Sequence, residues 1–240
     1  MNPPNLFSQL RELASRQALT LAVVLVVVTG VLGFIALTDR VTEGHSEKFD
    51  TSIIAWFHTH RGPPWLRDIG RDLTALGGVT VLTLVTSTVT GFLLITRKRS
   101  AAILVVVAVV GGLLIGTAIK DRIGRDRPPR EYQEAYVFTA SYPSGHSMLS
   151  AVTYLTLGAL LAQVTRGLWI RVYIIAVAIL VTFLVGLSRV YLGVHWPTDV
   201  LAGWTAGLVW SIICLFAART LQKRGAVEQE AESDFPIGTA

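Results

Sequence analysis

A chain of 240 residues that is 52% hydrophobic and only 15% charged falls well short of the roughly 25% charge of soluble domains. Together with a mean hydropathy of +0.55, this excludes an ordinary soluble domain and predicts a multi-span membrane protein. The net charge of +5 does not point to nucleic acid, because the cations gather at the ends of apolar runs, and the single Cys214 rules out an intramolecular disulfide framework.

Residues 1–18 are polar, with Arg11 and Arg16, and read as a cytoplasmic N-terminal segment. Leu19–Leu37 is uncharged and close to the roughly 20 residues a helix needs to cross a bilayer. It lacks a convincing A-x-A-like cleavage site, so it reads as a retained first span rather than a signal peptide. A polar connection follows, about 39–76, in which Phe49, Ile53, Ile54 and Phe57 recur at helical spacing beside Trp56. Pro63-Pro64 interrupts it and Trp65 restarts it, which predicts one or two short helices at the membrane interface. These would serve either as a rim over a site or as a packed connector. Its histidines, His45, His58 and His60, show no partner pattern and read as surface residues.

Further spans are expected over Val79–Thr96, Ala101–Ile119, Ser147–Val164, Leu168–Leu187 and Pro197–Ala218. Gly112 and Gly116 in the third allow close helix approach. The fold class is thus all-α, a polytopic membrane bundle of six transmembrane helices in one domain, 19–218. Residues 219–240 read as a disordered cytoplasmic tail. Lys and Arg in short loops set orientation: Arg97-Lys98-Arg99, Arg166 with Arg171, and Arg219 with Lys223 and Arg224 fall on the N-terminal side if six spans alternate. Both termini are then cytoplasmic, and the remaining loops exoplasmic. The loop after Ile119 nevertheless carries Lys120, Arg122, Arg125, Arg127 and Arg130 on the side that should be poor in cations. An anionic ligand would account for it.

Three polar patches end apolar runs on that face. In the third, His195 and Asp199 are four residues apart near a helix start. The carboxylate can accept the imidazole Nδ1–H, which fixes the tautomer and leaves Nε2 bare as a nucleophile. Arg189 can fork onto two phosphate oxygens. In the second patch, Ser144 and Gly145 open a helix, where free N–H groups and the dipole favour an anion. His146 beside them can protonate a leaving oxygen. A rival reading makes His146, His195 and Asp199 zinc ligands, but nearby fixed cations repel a dication and attract a phosphate. No P-loop motif is present.

Each patch alone is a weak signal; the ordered set is not. Lys120, six residues, Arg127-Pro128, then Pro143-Ser144-Gly145-His146, then Ser188-Arg189, five residues, His195, three residues, Asp199 resembles the type 2 phosphatidic acid phosphatase family without a departure. The resemblance covers Lys120 to Asp199 by motif and the rest by layout. It implies that His195 attacks phosphorus and becomes phosphohistidine, that Asp199 holds His195, and that His146 protonates the departing oxygen. Lys120, Arg127 and Arg189, with Ser144 and the Gly145 backbone, would grip the other phosphate oxygens. No metal or other cofactor is expected, since fixed cations supply the charge. The implied partners are the bilayer and a membrane lipid phosphate: phosphatidylglycerophosphate, phosphatidic acid or undecaprenyl diphosphate. The implied setting is a bacterial inner or plasma membrane with the site exoplasmic. A lipid phosphotransferase, or a non-catalytic lipid transporter or binding protein, are the alternatives. Arg122, Arg125 and Arg130 lie outside the family pattern. They either meet a second phosphate, or are solvated or paired with Asp121, Asp126 and Glu131.

Overall fold

The computed structural model describes residues 6–135 and 137–223. Eight α-helices and one short 3-10 turn make up its elements. α1 (Leu6–Thr42) is followed by two shorter helices, α2 (Glu47–Thr59) and α3 (Pro64–Ala75). Then come α4 (Val79–Ile95), α5 (Arg99–Ile123), a 3-10 turn at Arg130–Tyr132, α6 (Gly145–Val164), α7 (Leu168–Tyr191) and α8 (Pro197–Lys223). Five of these, α1 and α5–α8, are long and apolar enough to span a membrane. The pair α3 with α4, bent by 44°, passes the same test of length and apolarity when taken together and makes a sixth candidate span. The bend falls at Leu76-Gly77-Gly78, where a Cβ added at Gly77 would lie 2.4 Å from the Val185 side chain and 3.2 Å from the His146 carbonyl oxygen. The protein is an integral membrane helical bundle.

Two boundaries differ from the sequence reading. α1 begins at Leu6 and runs on to Thr42, well beyond the apolar run of Leu19–Leu37. Hydropathy marks only the part of a helix immersed in hydrocarbon, and nothing between Arg11 and Leu19 or between Leu37 and Thr42 breaks the backbone. The stretch at 39–76 holds α2 and α3, with Gly62 in a left-handed turn (φ +69°) between them. The tail expected beyond Lys223 lies outside the described residues.

α6 is the centre of the bundle, packed on α5, α7 and α8. Its buried positions are mostly small or hydroxylated: Ser147, Ser150, Ala151, Thr153, Thr156 and Gly158. Small residues let helices approach within membranes, where no hydrophobic drive separates protein from lipid. The closest approach is to α8. A Cβ on Gly203 would lie 2.7 Å from the Ser144 carbonyl oxygen, and one on Gly207 would lie 2.6 Å from that of Met148. The α6 and α8 backbones therefore touch. On α5, Gly112 and Gly116 face Val152 and Met148 of α6, at 3.0 and 3.1 Å from an added Cβ. Ile54 of α2, 2% exposed, packs with Val190 and Val200, so α2 is bound to the ends of α7 and α8.

The segment from Gly124 to Pro143 forms a strap across this end of the bundle. Gly124 ends α5 in the left-handed region at φ +62°. Tyr142, fully buried, bonds its hydroxyl to Thr38 of α1 at 2.7 Å. Burial pushes this phenol up to about 12, so it stays protonated. Glu134 in the strap pairs with Arg61 at 2.8 Å and with Arg67 of α3 at 3.5 Å.

Candidate active site

The eight residues singled out by the three patches sit at one end of the bundle, on six separate segments. Lys120 is in the last turn of α5, Arg127 in the strap, and Ser144, Gly145 and His146 at the start of α6. Arg189 is in the last turn of α7, His195 in the α7–α8 connection and Asp199 in the first turn of α8. Gly193 makes that connection possible. Its φ of +66° turns the chain back, and any Cβ there would overlap the Tyr132 carbonyl.

His195 is 2% exposed and Asp199 fully buried. Nδ1 of His195 lies 3.4 Å from Asp199 Oδ2, and Nε2 lies 3.1 Å from Arg127 Nη1. Since an arginine can only donate, Nε2 must be the acceptor and Nδ1 must carry the proton. This is the tautomer a nitrogen nucleophile needs. Asp199 Oδ2 also accepts from the Ser141 hydroxyl and from the Trp196 N–H at 2.9 Å. Its other oxygen, Oδ1, accepts from Arg125 Nη1 at 2.6 Å. Asp199 thus accepts from four donors, three on Oδ2 and one on Oδ1. Among the described residues no three His, Cys, Asp or Glu side chains gather as metal ligands.

The cations are held by backbone oxygens rather than by acids. Lys120 Nζ donates to the carbonyls of Ala140 (2.6 Å) and Pro143 (3.1 Å). Arg127 donates to the carbonyls of Thr139 (2.8 Å) and Val194 (2.5 Å) as well as to His195. Their charge is thus positioned without being neutralised. Arg189 is 5% exposed and donates to Thr74 of α3 at 2.7 Å, while its Nε is buried without a hydrogen-bond partner. A buried unpaired donor on a guanidinium is costly, and an oxyanion would satisfy it.

Ser144 caps α6. Its hydroxyl oxygen accepts from the Ser147 hydroxyl at 3.0 Å and from the Ser147 N–H at 3.5 Å, which leaves its own proton to donate. The Ser144 N–H is not available to a ligand, because it donates to the Asp199 carbonyl at 3.0 Å. The remaining first-turn N–H groups of α6 belong to Gly145 and His146. A Cβ added at Gly145 would meet nothing within 4 Å, so the space beside it is open.

Three residues of this site were not singled out by sequence. Arg125 is neither solvated nor paired with Asp121, Asp126 or Glu131; it reaches Asp199 and, at 2.7 Å, Asp50 of α2. Ser141 lies two residues before the Pro-Ser-Gly-His run and carries no motif of its own. Asp50 is 75 positions from Arg125 and 148 from Thr198, and only its place as an acid among apolar α2 residues hinted at burial.

Burial lowers His195 from the ordinary histidine value of 6.5 to about 3, against the opposing support of Asp199. The folded ring is therefore neutral at physiological pH, with Nε2 available. The unfolded chain takes up this proton near 6.5. Stability is then lost as pH falls from about 6.5 toward 3, by up to about 1.4 kcal/mol per pH unit from this group. The melting temperature of the detergent-solubilised protein should fall across that window, and His195→Gln should flatten the fall; an unchanged slope would refute the assignment.

Residues 100–223, just over half of the chain, match the family model described as PAP2 superfamily. The chain belongs to the PAP2 superfamily. Phosphatidylglycerophosphatase B of Bacillus subtilis is 35% identical to it over 152 residues, which span 61% of this chain and 72% of that protein. An undecaprenyl-diphosphatase of Sulfolobus acidocaldarius is 35% identical over 125 residues, 50% of this chain and 56% of its own length. The crystal structure of a transmembrane PAP2 type phosphatidylglycerolphosphate phosphatase from Bacillus subtilis superimposes with a TM-score of 0.73 at 26% identity. It covers 82% of this chain and 96% of the other. The PAP2 match begins at α5 and takes in the strap and α6–α8, which carry every one of the eight candidate residues.

Proposed function

We propose that this PAP2 protein is a metal-independent phosphatase of membrane lipid phosphates or diphosphates that works through a phosphohistidine. The observation that carries the reading is the neutral His195 ring, held through Nδ1 by Asp199 with Nε2 turned toward Arg127, a cation held by carbonyls rather than by an acid. The names of the relatives support phosphatidylglycerophosphate or undecaprenyl diphosphate as the substrate, with phosphatidic acid a further member of the class.

In the first step the Nε2 lone pair attacks phosphorus and the bond to the lipid oxygen breaks. Lys120, Arg127 and Arg189, with the Ser144 hydroxyl and the Gly145 N–H, hold the three remaining oxygens. Preorganised donors of this kind contribute roughly 3–4 kcal/mol each when aimed at developing charge. A phosphate anion bound beside His146 favours the charged form of that ring, which then carries the proton that the leaving oxygen takes. In the second step water attacks phosphohistidine, His146 receives its proton, and the P–N bond breaks to release inorganic phosphate. The site is exoplasmic in this reading, because Arg97-Lys98-Arg99, Arg166 with Arg171, and Arg219 with Lys223 cluster at the other end of the spans.

The test is phosphate release from these three lipids in detergent. Release should continue in EDTA, and vanadate should inhibit competitively as a five-coordinate mimic of phosphorus. No release from any of the three, or activity that returns only with a divalent ion, would overturn the proposal.

A further inference from the structure

The interfacial helix α2 contributes a buried acid to the site. Asp50 is fully buried, and its carboxylate is saturated by two partners. Oδ2 accepts from Arg125 Nη2 and from the Thr198 hydroxyl, each at 2.7 Å, and Oδ1 accepts from the Thr198 N–H at 3.0 Å. Thr198 is the second residue of α8, so this last bond satisfies one of the N–H groups that a helix leaves unpaired at its start. Arg125 completes the bridge. Its Nη1 donates to Asp199 Oδ1 at 2.6 Å and to Thr198 at 2.8 Å, and its guanidinium lies 5.5 Å over the Trp196 ring.

Charge decides what such a bridge does. Asp199 has to remain an anion toward His195, since attack on phosphorus leaves the imidazole positive. An arginine on Oδ1 alone would neutralise it. A second carboxylate on the far side of the same guanidinium shares that cation, and the trio Asp50–Arg125–Asp199 keeps a net charge of −1. In a buried setting this difference is felt strongly. The same bridge fixes Asp199 in rotation, with Oδ1 bound to Arg125 and Oδ2 left facing His195.

We infer that Asp50 and Arg125 are positioning residues for the His195–Asp199 pair, and that Asp50 preserves the negative charge of Asp199 during phosphoryl transfer. This rests on His195 as the nucleophile, as proposed above. Neither residue faces the cations that hold phosphate, so their effect belongs to turnover and not to binding.

The experiment compares Asp50→Asn, Asp50→Glu, Arg125→Met and the double variant Asp50→Asn/Arg125→Met with wild type, as monodisperse full-length protein in detergent, on one lipid phosphate. Asp50→Asn should lower kcat about 10–100-fold, the range typical of groups that orient a catalytic ligand, with KM within about twofold. Asp50→Glu, which keeps the charge, should recover most of the loss. The double variant should be no slower than Arg125→Met alone, since without the arginine there is no cation left to share. A loss carried by KM, equal losses in the Asn and Glu variants, or additive effects in the double variant would each overturn the inference. If Asp50→Asn does not fold, Arg125→Lys keeps the charge but cannot bridge both acids; the same kcat-only loss is expected, and a KM-led loss overturns it. A wild type that releases no phosphate removes the parent reading as well, whereas an active wild type with the wrong split removes this inference alone.

Discussion

Phosphate release should be abolished by His195→Gln, with a loss on the order of 10⁴-fold or more in kcat, as for removal of a nucleophile that acts as part of a unit. The glutamine carbonyl can still accept from Arg127 Nη1, which now lies 3.1 Å from Nε2, so the pocket and its affinity for phosphate should survive. Lipid binding should therefore stay within a fewfold of wild type while chemistry stops. Acid quenching with a labelled substrate separates the two outcomes. Wild type should carry acid-labile, base-stable label on the protein, and the variant none. Turnover within tenfold of wild type, or label that persists in the variant, would remove His195 from the reaction.

Asp199→Asn should be nearly as damaging, for a reason visible in its hydrogen bonds. Oδ2 faces three donors, from Ser141, Trp196 and His195, and Oδ1 faces a fourth, from Arg125. An amide offers one acceptor and one donor group. With its oxygen toward His195, its NH₂ opposes Arg125; turned over, its NH₂ opposes three donors at once. Neither orientation is satisfied. Activity should fall about 10³–10⁴-fold, the size of effect seen when a histidine loses the acid that sets its tautomer. Folding stability should fall by about 3–5 kcal/mol, because Arg125 loses one of its two buried partners. Urea or thermal unfolding in detergent measures the second effect, and phosphate release the first. A variant that keeps activity within tenfold would mean that Asp199 does not support the nucleophile.

These effects were only partly legible in the chain. His195 and Asp199 could be paired because four residues at a helix start bring side chains to one face, which is local geometry. Ser144 and Gly145 were legible because a serine and a glycine ahead of an apolar run mark a helix start. Asp50 was not, since a contact across some 150 residues leaves no trace in spacing. Arg125 misled for a related reason. In a loop rich in both signs a cation looks solvated, and only the packing of α2 against α8 takes it out of water. The spans were legible from hydropathy, whereas the reach of α1 to Thr42 was not, because a helix continues past the hydrocarbon wherever nothing stops its backbone.

The direct contact between α6 and α8 has a mechanical consequence. Gly203 and Gly207 bring the two backbones together with no layer of side chains between, and the Ser144 N–H is tied to the Asp199 carbonyl. A cushion of flexible side chains would yield when a bilayer thickens or thins and its helices tilt; bare backbone does not. The phosphate cradle and the acid behind the nucleophile thus tilt together as one stiff piece. Differences in turnover between thick and thin bilayers then report how the lipid reaches the pocket, and not a change in the spacing of the groups that cut it.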